Sequence, residues 1–94
     1  MTATLTGNKL SHFNTGLFVT QTSPTEGPPG GQANVTASPS NSFYSNGTGA
    51  NGDTGTVLNV QEDWWGCAQG PNMGGVCNSA IGTAAFTSWL TVKP

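Results

Sequence analysis

"ATLTGNKLSHFNTGLFV" (residues 3–19) and "VTASPSNSFYSNGTG…TVLNV" (35–60) read as two copies of one pattern. In each, a short Thr-containing strand is followed by Asn (Asn8, Asn41) and an apolar pair (Leu10 with Phe13; Phe43 with Tyr44). Another Asn (Asn14, Asn46), a Gly-containing turn and a third apolar run (Leu17 to Val19; Val57 to Val60) complete it. The motif returns after about 32 to 33 residues, a spacing typical of structural repeats.

Three short strands separated by Asn/Gly corners and repeated in series are what a parallel β-solenoid requires. Successive coils lie about 4.8 Å apart, so equivalent residues fall above one another. Small apolar side chains are then expected to stack indoors. Corner Asn side chains are expected to bond the backbone of the next coil, with Asn and Gly chosen there because they tolerate left-handed backbone angles. The expectation is an all-β, short parallel β-helix of about two to three coils, with exposed loops at 22–32 and 47–55. No window carries apolar residues at helical spacing without Gly or Pro interrupting it. A β-sandwich or an irregular loop-rich domain is the competing reading.

Composition narrows the functional classes. Ninety-four residues make one small domain, 1–94, or a piece of a larger one, with a modest core. Charged residues are 6% of the chain, against roughly a quarter in an average soluble protein. Two Lys and no Arg cannot neutralise a phosphate backbone, which excludes nucleic acid as a partner. Eight aromatic residues, Phe13, Phe18, Phe43, Tyr44, Trp64, Trp65, Phe86 and Trp89, argue for order rather than a disordered tract. No apolar stretch approaches the roughly 18 residues of a membrane span, and no export signal is visible. Met1 sits directly on the strand-like "TATLT", which reads as a start placed inside a longer protein or as a mature form carrying an initiator.

Cys67 and Cys77 are the only cysteines. A zinc site needs two more ligands, and His12 is the sole His. A disulfide needs only an oxidising compartment and contributes about 3 kcal/mol by restricting the unfolded chain. Free thiols stay open. The disulfide reading carries an extracellular or cell-surface location.

Both cysteines lie in "DWWGCAQGPNMGGVCN" (63–78). With the "AAFTSWLTV" that follows, this stretch resembles the terminal segment of bacterial secreted and surface right-handed parallel β-helix proteins. The matching residues are Trp64, Trp65, Gly66, Gly70, Pro71, Trp89 and Leu90. "GNKLSHFNTG" and "NSFYSNGTG" are similar to that family's Asn-rich coils, so the resemblance covers nearly the whole chain. Asp63 stands where Asn is usual and Ser88 where Pro is usual. The resemblance implies right-handed coils over 1–62 and a C-terminal cap over 63–94. A solenoid must cover its last coil, because open edges pair with other chains. Trp64 or Trp65, with Trp89, is expected to form that lid, each indole burying about 150 to 250 Å². The clipped Cys67–Cys77 loop holds it in place.

Adjacent tryptophans in a strand point to opposite faces, so one of Trp64 and Trp65 is free to stack on a sugar. Trp64, Trp65 and Trp89 are therefore the possible glycan contacts. Catalysis is not expected: the β-helix architecture hosts polysaccharide lyases and hydrolases, but these need paired carboxylates or a metal in a groove. Glu26 and Asp53 lie in loops, Glu62 and Asp63 face opposite ways, and His12 lacks a nucleophile partner. "GANGDTG" (49–55) resembles calcium loops but offers one carboxylate, too few for a hard cation. No metal and no cofactor are expected. The Thr-X-Thr pairs of "TATLT" and "VTQT" do not persist into later coils, which argues against an ice-binding array. Asn34-Val-Thr and Asn46-Gly-Thr match the glycosylation sequon.

The sequence thus points to a non-catalytic structural or adhesive module outside the cell. Its uncovered first coil would stack on preceding coils of a parent protein or head-to-tail on other copies of itself. The alternative is a carbohydrate-binding module, with polysaccharide as partner.

Overall fold

The computed structural model describes residues 2–20 and 33–94. Among these residues the chain is all-β, with nine strands and no helix. The strands are β1 (Thr2–Leu5), β2 (Lys9–Ser11), β3 (Thr15–Val19), β4 (Asn34–Ala37), β5 (Ser42–Tyr44), β6 (Thr48–Gly52), β7 (Val57–Asn59), β8 (Ala80–Gly82) and β9 (Ala84–Ala85). They form three sheets of order β1-β4-β7-β9, β2-β5 and β3-β6-β8. Every pairing is parallel. Two parallel bridges, Ser42 with Trp64 and Asp63 with Trp89, continue the β2-β5 sheet. The chain therefore visits the three sheets in the same order on each pass, with extents of 38 × 21 × 21 Å.

The register follows the repeat. Thr2 lies opposite Asn34 and Lys9 opposite Ser42, offsets of 32 and 33 residues. Inward positions form apolar columns: Ala3, Val35, Leu58 and Ala84 in the first sheet, and Leu17, Ala50 and Ala80 in the third. Leu10 and Phe43 begin the middle column, and Trp65 lies beneath them. Strand side chains alternate between faces. Outward columns are accordingly polar where Thr4, Thr36 and Asn59 align. Thr2 meets Asn34 and then Val57, so the hydroxyl pairs do not extend across the sheet.

Several expectations need correction. The stretch 47–55 is not an exposed loop, because Thr48–Gly52 forms β6, the middle strand of the third sheet. The third run of the repeat is likewise reassigned: Val57–Asn59 opens the next pass beneath Asn34–Thr36, while Ala50–Gly52 lies opposite Leu17–Val19. Gly49, Ala50 and Gly52 hide this strand because they are small where the interior is crowded. A Cβ on Gly49 would come within 3.0 Å of the Trp65 ring, the close approach that strand glycines allow. The 63–94 segment is more than a lid, since it supplies β8 and β9. The loop expected at 22–32 lies outside the described residues.

Corners also work differently from the expectation. Left-handed angles fall on Gly7, Ser40 and Glu62, and again on His12 and Ser45, each one residue before the position that faces the neighbouring pass. The corner asparagines serve as hydrogen-bonding groups instead. Asn41 Oδ1 accepts from the Asn8 N–H (3.0 Å), and its Nδ2 donates to the Leu5 carbonyl (3.0 Å). Asn46 repeats this with the Phe13 N–H (3.0 Å) and the Leu10 carbonyl (2.7 Å). Each amide thus reaches the backbone of the preceding pass, not the next one. Asn46 aligns with Phe13, not with Asn14.

Candidate functional site

The tryptophan pair is split by strand alternation, as the sequence implied, and the register decides which ring goes inside. Trp65 is fully buried. Its ring stacks on Phe43 with centroids 4.7 Å apart and planes 19° from parallel. A ring so enclosed has no face to offer a sugar, so Trp65 belongs to the core of this end rather than to a glycan surface. Trp64 is half-buried and outward; its N–H donates to the Asn41 carbonyl (2.8 Å) and its carbonyl accepts from Phe43 N–H (2.8 Å).

Trp89 is half-buried and packs against the core. Its indole packs directly against Gly70, where a Cβ would fall 2.6 Å from the ring. Gly70 also takes a positive φ of 93°, so glycine is required there twice over. Leu90 N–H donates to the Asp63 carbonyl (2.9 Å), which docks this last segment beneath the preceding pass.

Cys67 and Cys77 form a disulfide with Cα atoms 5.1 Å apart, and no free cysteine remains. The base of the loop is held by Asn78 N–H donating to the Trp65 carbonyl (2.7 Å). Asn72 is a residue that sequence reasoning missed. Its Oδ1 accepts from Ala80 N–H (3.0 Å) and its Nδ2 donates to the Ala80 carbonyl (2.9 Å). Among the described residues Ala80 lies on β8, the last strand of its sheet, so one amide side chain bonds both backbone groups at its outer edge. Gln61 does similar work at the final turn, where its Oε1 accepts from Thr87 N–H (2.6 Å) and Ser88 N–H (2.9 Å).

The two ends of the molecule therefore differ. Among the described residues, no strand pairs with the outer edges of β1, β2 or β3, which lie together at one end. Ala3, Leu5, Leu10 and Leu17 are only partly buried there, whereas their register partners Val35, Ala37, Phe43 and Ala50 are buried. The other end carries the tryptophans, the disulfide and the Asn72 amide.

An open cleft of about 570 Å³ lies between the second corner and the disulfide loop, lined by Ser45, Asn46, Asn72, Val76, Asn78 and Ser79 among others. It holds no carboxylate, no His and none of the three tryptophans. The carboxylates stand apart. Asp53 accepts from Thr20 Oγ1 (3.0 Å) and Thr54 N–H (2.9 Å) at the corner after β6. Glu62 is exposed and accepts from Ser88 Oγ (3.1 Å). Asp63 is fully buried. Its Oδ1 accepts from Asn41 N–H (2.9 Å) and Asn41 Nδ2 (3.1 Å), and Oδ2 has no partner. His12 is exposed beside Ser11 and meets the Tyr44 ring edge-on. Glu26 lies outside the described residues. Among the described residues no three His, Cys, Asp or Glu side chains come together to hold a metal. No described helix is long and apolar enough to cross a membrane.

Searches of family models, curated proteins and solved structures find nothing that matches this chain.

Proposed function

We propose that this chain is a structural module of a right-handed parallel β-helix, placed outside the cell or on its surface, and that it works by stacking rather than by chemistry. The observation that carries this reading is the contrast between its two ends. Among the described residues, one presents three unpaired strand edges over half-covered Leu5, Leu10 and Leu17; the other is packed by Trp65 and Trp89, with Asn72 bonding the edge of β8. Open edges template further pairing, and parallel strands on successive passes connect in the right-handed sense in nearly all proteins. The first pass takes a further rung of the same kind, from additional coils of a longer chain or from another copy. The disulfide suits an oxidising compartment. The scattered carboxylates support a non-catalytic role.

Two measurements test the proposal. Sedimentation of the 94-residue chain over a wide concentration range should reveal self-association, and one further parallel coil fused ahead of Thr2 should raise stability. A chain that stays monomeric at high concentration and gains nothing from the added coil refutes it.

A second reading, carbohydrate binding, rests on Trp64. That ring is outward and only half-buried on the same sheet face as Tyr44. Glycan-array signal abolished by W64A with the fold intact would favour it over pure stacking.

A further inference from the structure

The corner column Asn8, Asn41, Asp63 ends on a residue that breaks its own pattern. At both corners an asparagine uses its oxygen to accept a backbone N–H and its nitrogen to donate to a carbonyl of the preceding pass. Asp63 reproduces the accepting half, with Oδ1 bonded by the Asn41 N–H and side-chain amide. Its Oδ2 stands for the amide nitrogen, yet it is buried without a partner. An ionised carboxylate has no hydrogen to offer at that atom and is cut off from water. A protonated carboxyl presents an O–H where asparagine presents N–H. Burying an unpaired charge is costly, and proton uptake relieves it.

We infer that Asp63 is a proton-operated latch on the last pass of the chain: protonated, it sits in the corner without a buried charge, and ionised, it loosens the Trp89–Leu90 segment docked on it. The mechanical link is the parallel bridge between Asp63 and Trp89 and the 2.9 Å bond from Leu90 N–H to the Asp63 carbonyl. Release of that segment uncovers the end that Trp89 closes against Gly70.

Burial pushes the Asp63 carboxyl up to about 7, against the opposing pull of the Asn41 hydrogen bonds, and the neighbouring Glu62 charge adds to the rise. Among the described residues, those that hydrogen bonds and the bridge place against Asp63, namely Asn41, Trp89 and Leu90, are uncharged, and Lys93 on the same terminal segment lies over the Tyr44 ring. Lys9 follows Asn8 at the far end of the column and is exposed. A carboxyl whose folded value lies above its unfolded value of 3.8 binds its proton more tightly when folded. Its contribution to stability is therefore complete below about pH 4, falls as pH rises to about 7, and changes no further above that.

The test combines a titration and a variant series on the full chain. Carbon-13 NMR of the Asp63 carboxyl should show a midpoint near neutrality. Between pH 5 and 8 the folding equilibrium constant should drop by about a hundredfold, with amide exchange at Leu90 rising more than at Val35 after correction for base catalysis. D63N should flatten this dependence and E62Q should retain it. An Asp63 midpoint in the ordinary carboxylate range, or an unchanged slope in D63N, overturns the latch. If D63N does not fold, the wild-type carboxyl titration decides alone.

Discussion

The ring of Trp65 lies 4.7 Å from that of Phe43, nearly parallel to it, with Gly49 leaving the room its edge requires. An offset aromatic pair contributes about 0.5 to 1.5 kcal/mol beyond the burial of its area. Trp65→Ala empties a fully enclosed site and should cost about 3 to 5 kcal/mol. Gly49→Ala adds one methyl against the same ring, the Asn78 Cβ and the Ser79 carbonyl, and should cost about 1 to 3 kcal/mol by overpacking. Denaturant unfolding of both variants checks the pair, and Trp64→Ala, at a half-buried position, should cost less than either.

The disulfide closes a loop with a sequence separation of 10, so its removal returns freedom mainly to the unfolded chain. Replacing both cysteines with serine should lower stability by about 3 kcal/mol. Because Asn72 and Asn78 anchor the loop base independently, the parallel sheets should persist. Circular dichroism near that of the parent, with faster amide exchange confined to the loop, is the expected result.

Asn41 and Asn14 look alike in the sequence, yet only Asn41 is woven into the structure. Its side chain bonds Asn8, Leu5 and Asp63 from a fully buried position, while Asn14 is exposed. Asn41→Ala strands the Asn8 N–H and deepens the isolation of Asp63, at a cost of about 3 kcal/mol for the groups left unpaired. Asn14→Ala should fall within about 0.5 kcal/mol of the parent. Thermal melts of the two variants side by side decide whether the ladder or mere Asn content matters.

Much of this is legible in the sequence. The first-sheet strands at Thr2–Leu5 and Asn34–Ala37 carry their alternation openly, and the repeat length matches their register. β6 was not visible, because "TGANG" has the composition of a turn and becomes a strand only when Trp65 fills the interior it vacates. That one tryptophan faces inward follows from alternation, but which one does depends on Ser42 pairing with Trp64. Asp63 stood out as a departure from the corner pattern; its lone buried oxygen emerges only from the three-dimensional ladder. Asn72 gave no signal, since its partner Ala80 lies across the disulfide loop.

That hidden role yields a last prediction. Sheet edges left open pair with other chains, and β8 is the outermost strand of its sheet at the tryptophan end. Asn72 blocks it by bonding both the N–H and the carbonyl of Ala80, beside an exposed Ile81. Asn72→Ala removes both bonds without adding bulk, freeing two backbone groups and lowering stability by about 1 to 3 kcal/mol. The freed edge, flanked by an apolar side chain, should also promote association through this end, seen as concentration-dependent scattering stronger than in the parent. Asn72→Asp, which keeps an acceptor for Ala80 N–H but loses the donor and adds charge, should weaken the strand without the same gain in association. Equal association of Asn72→Ala and the parent at matched concentration would mean that the disulfide loop, and not the amide, guards β8.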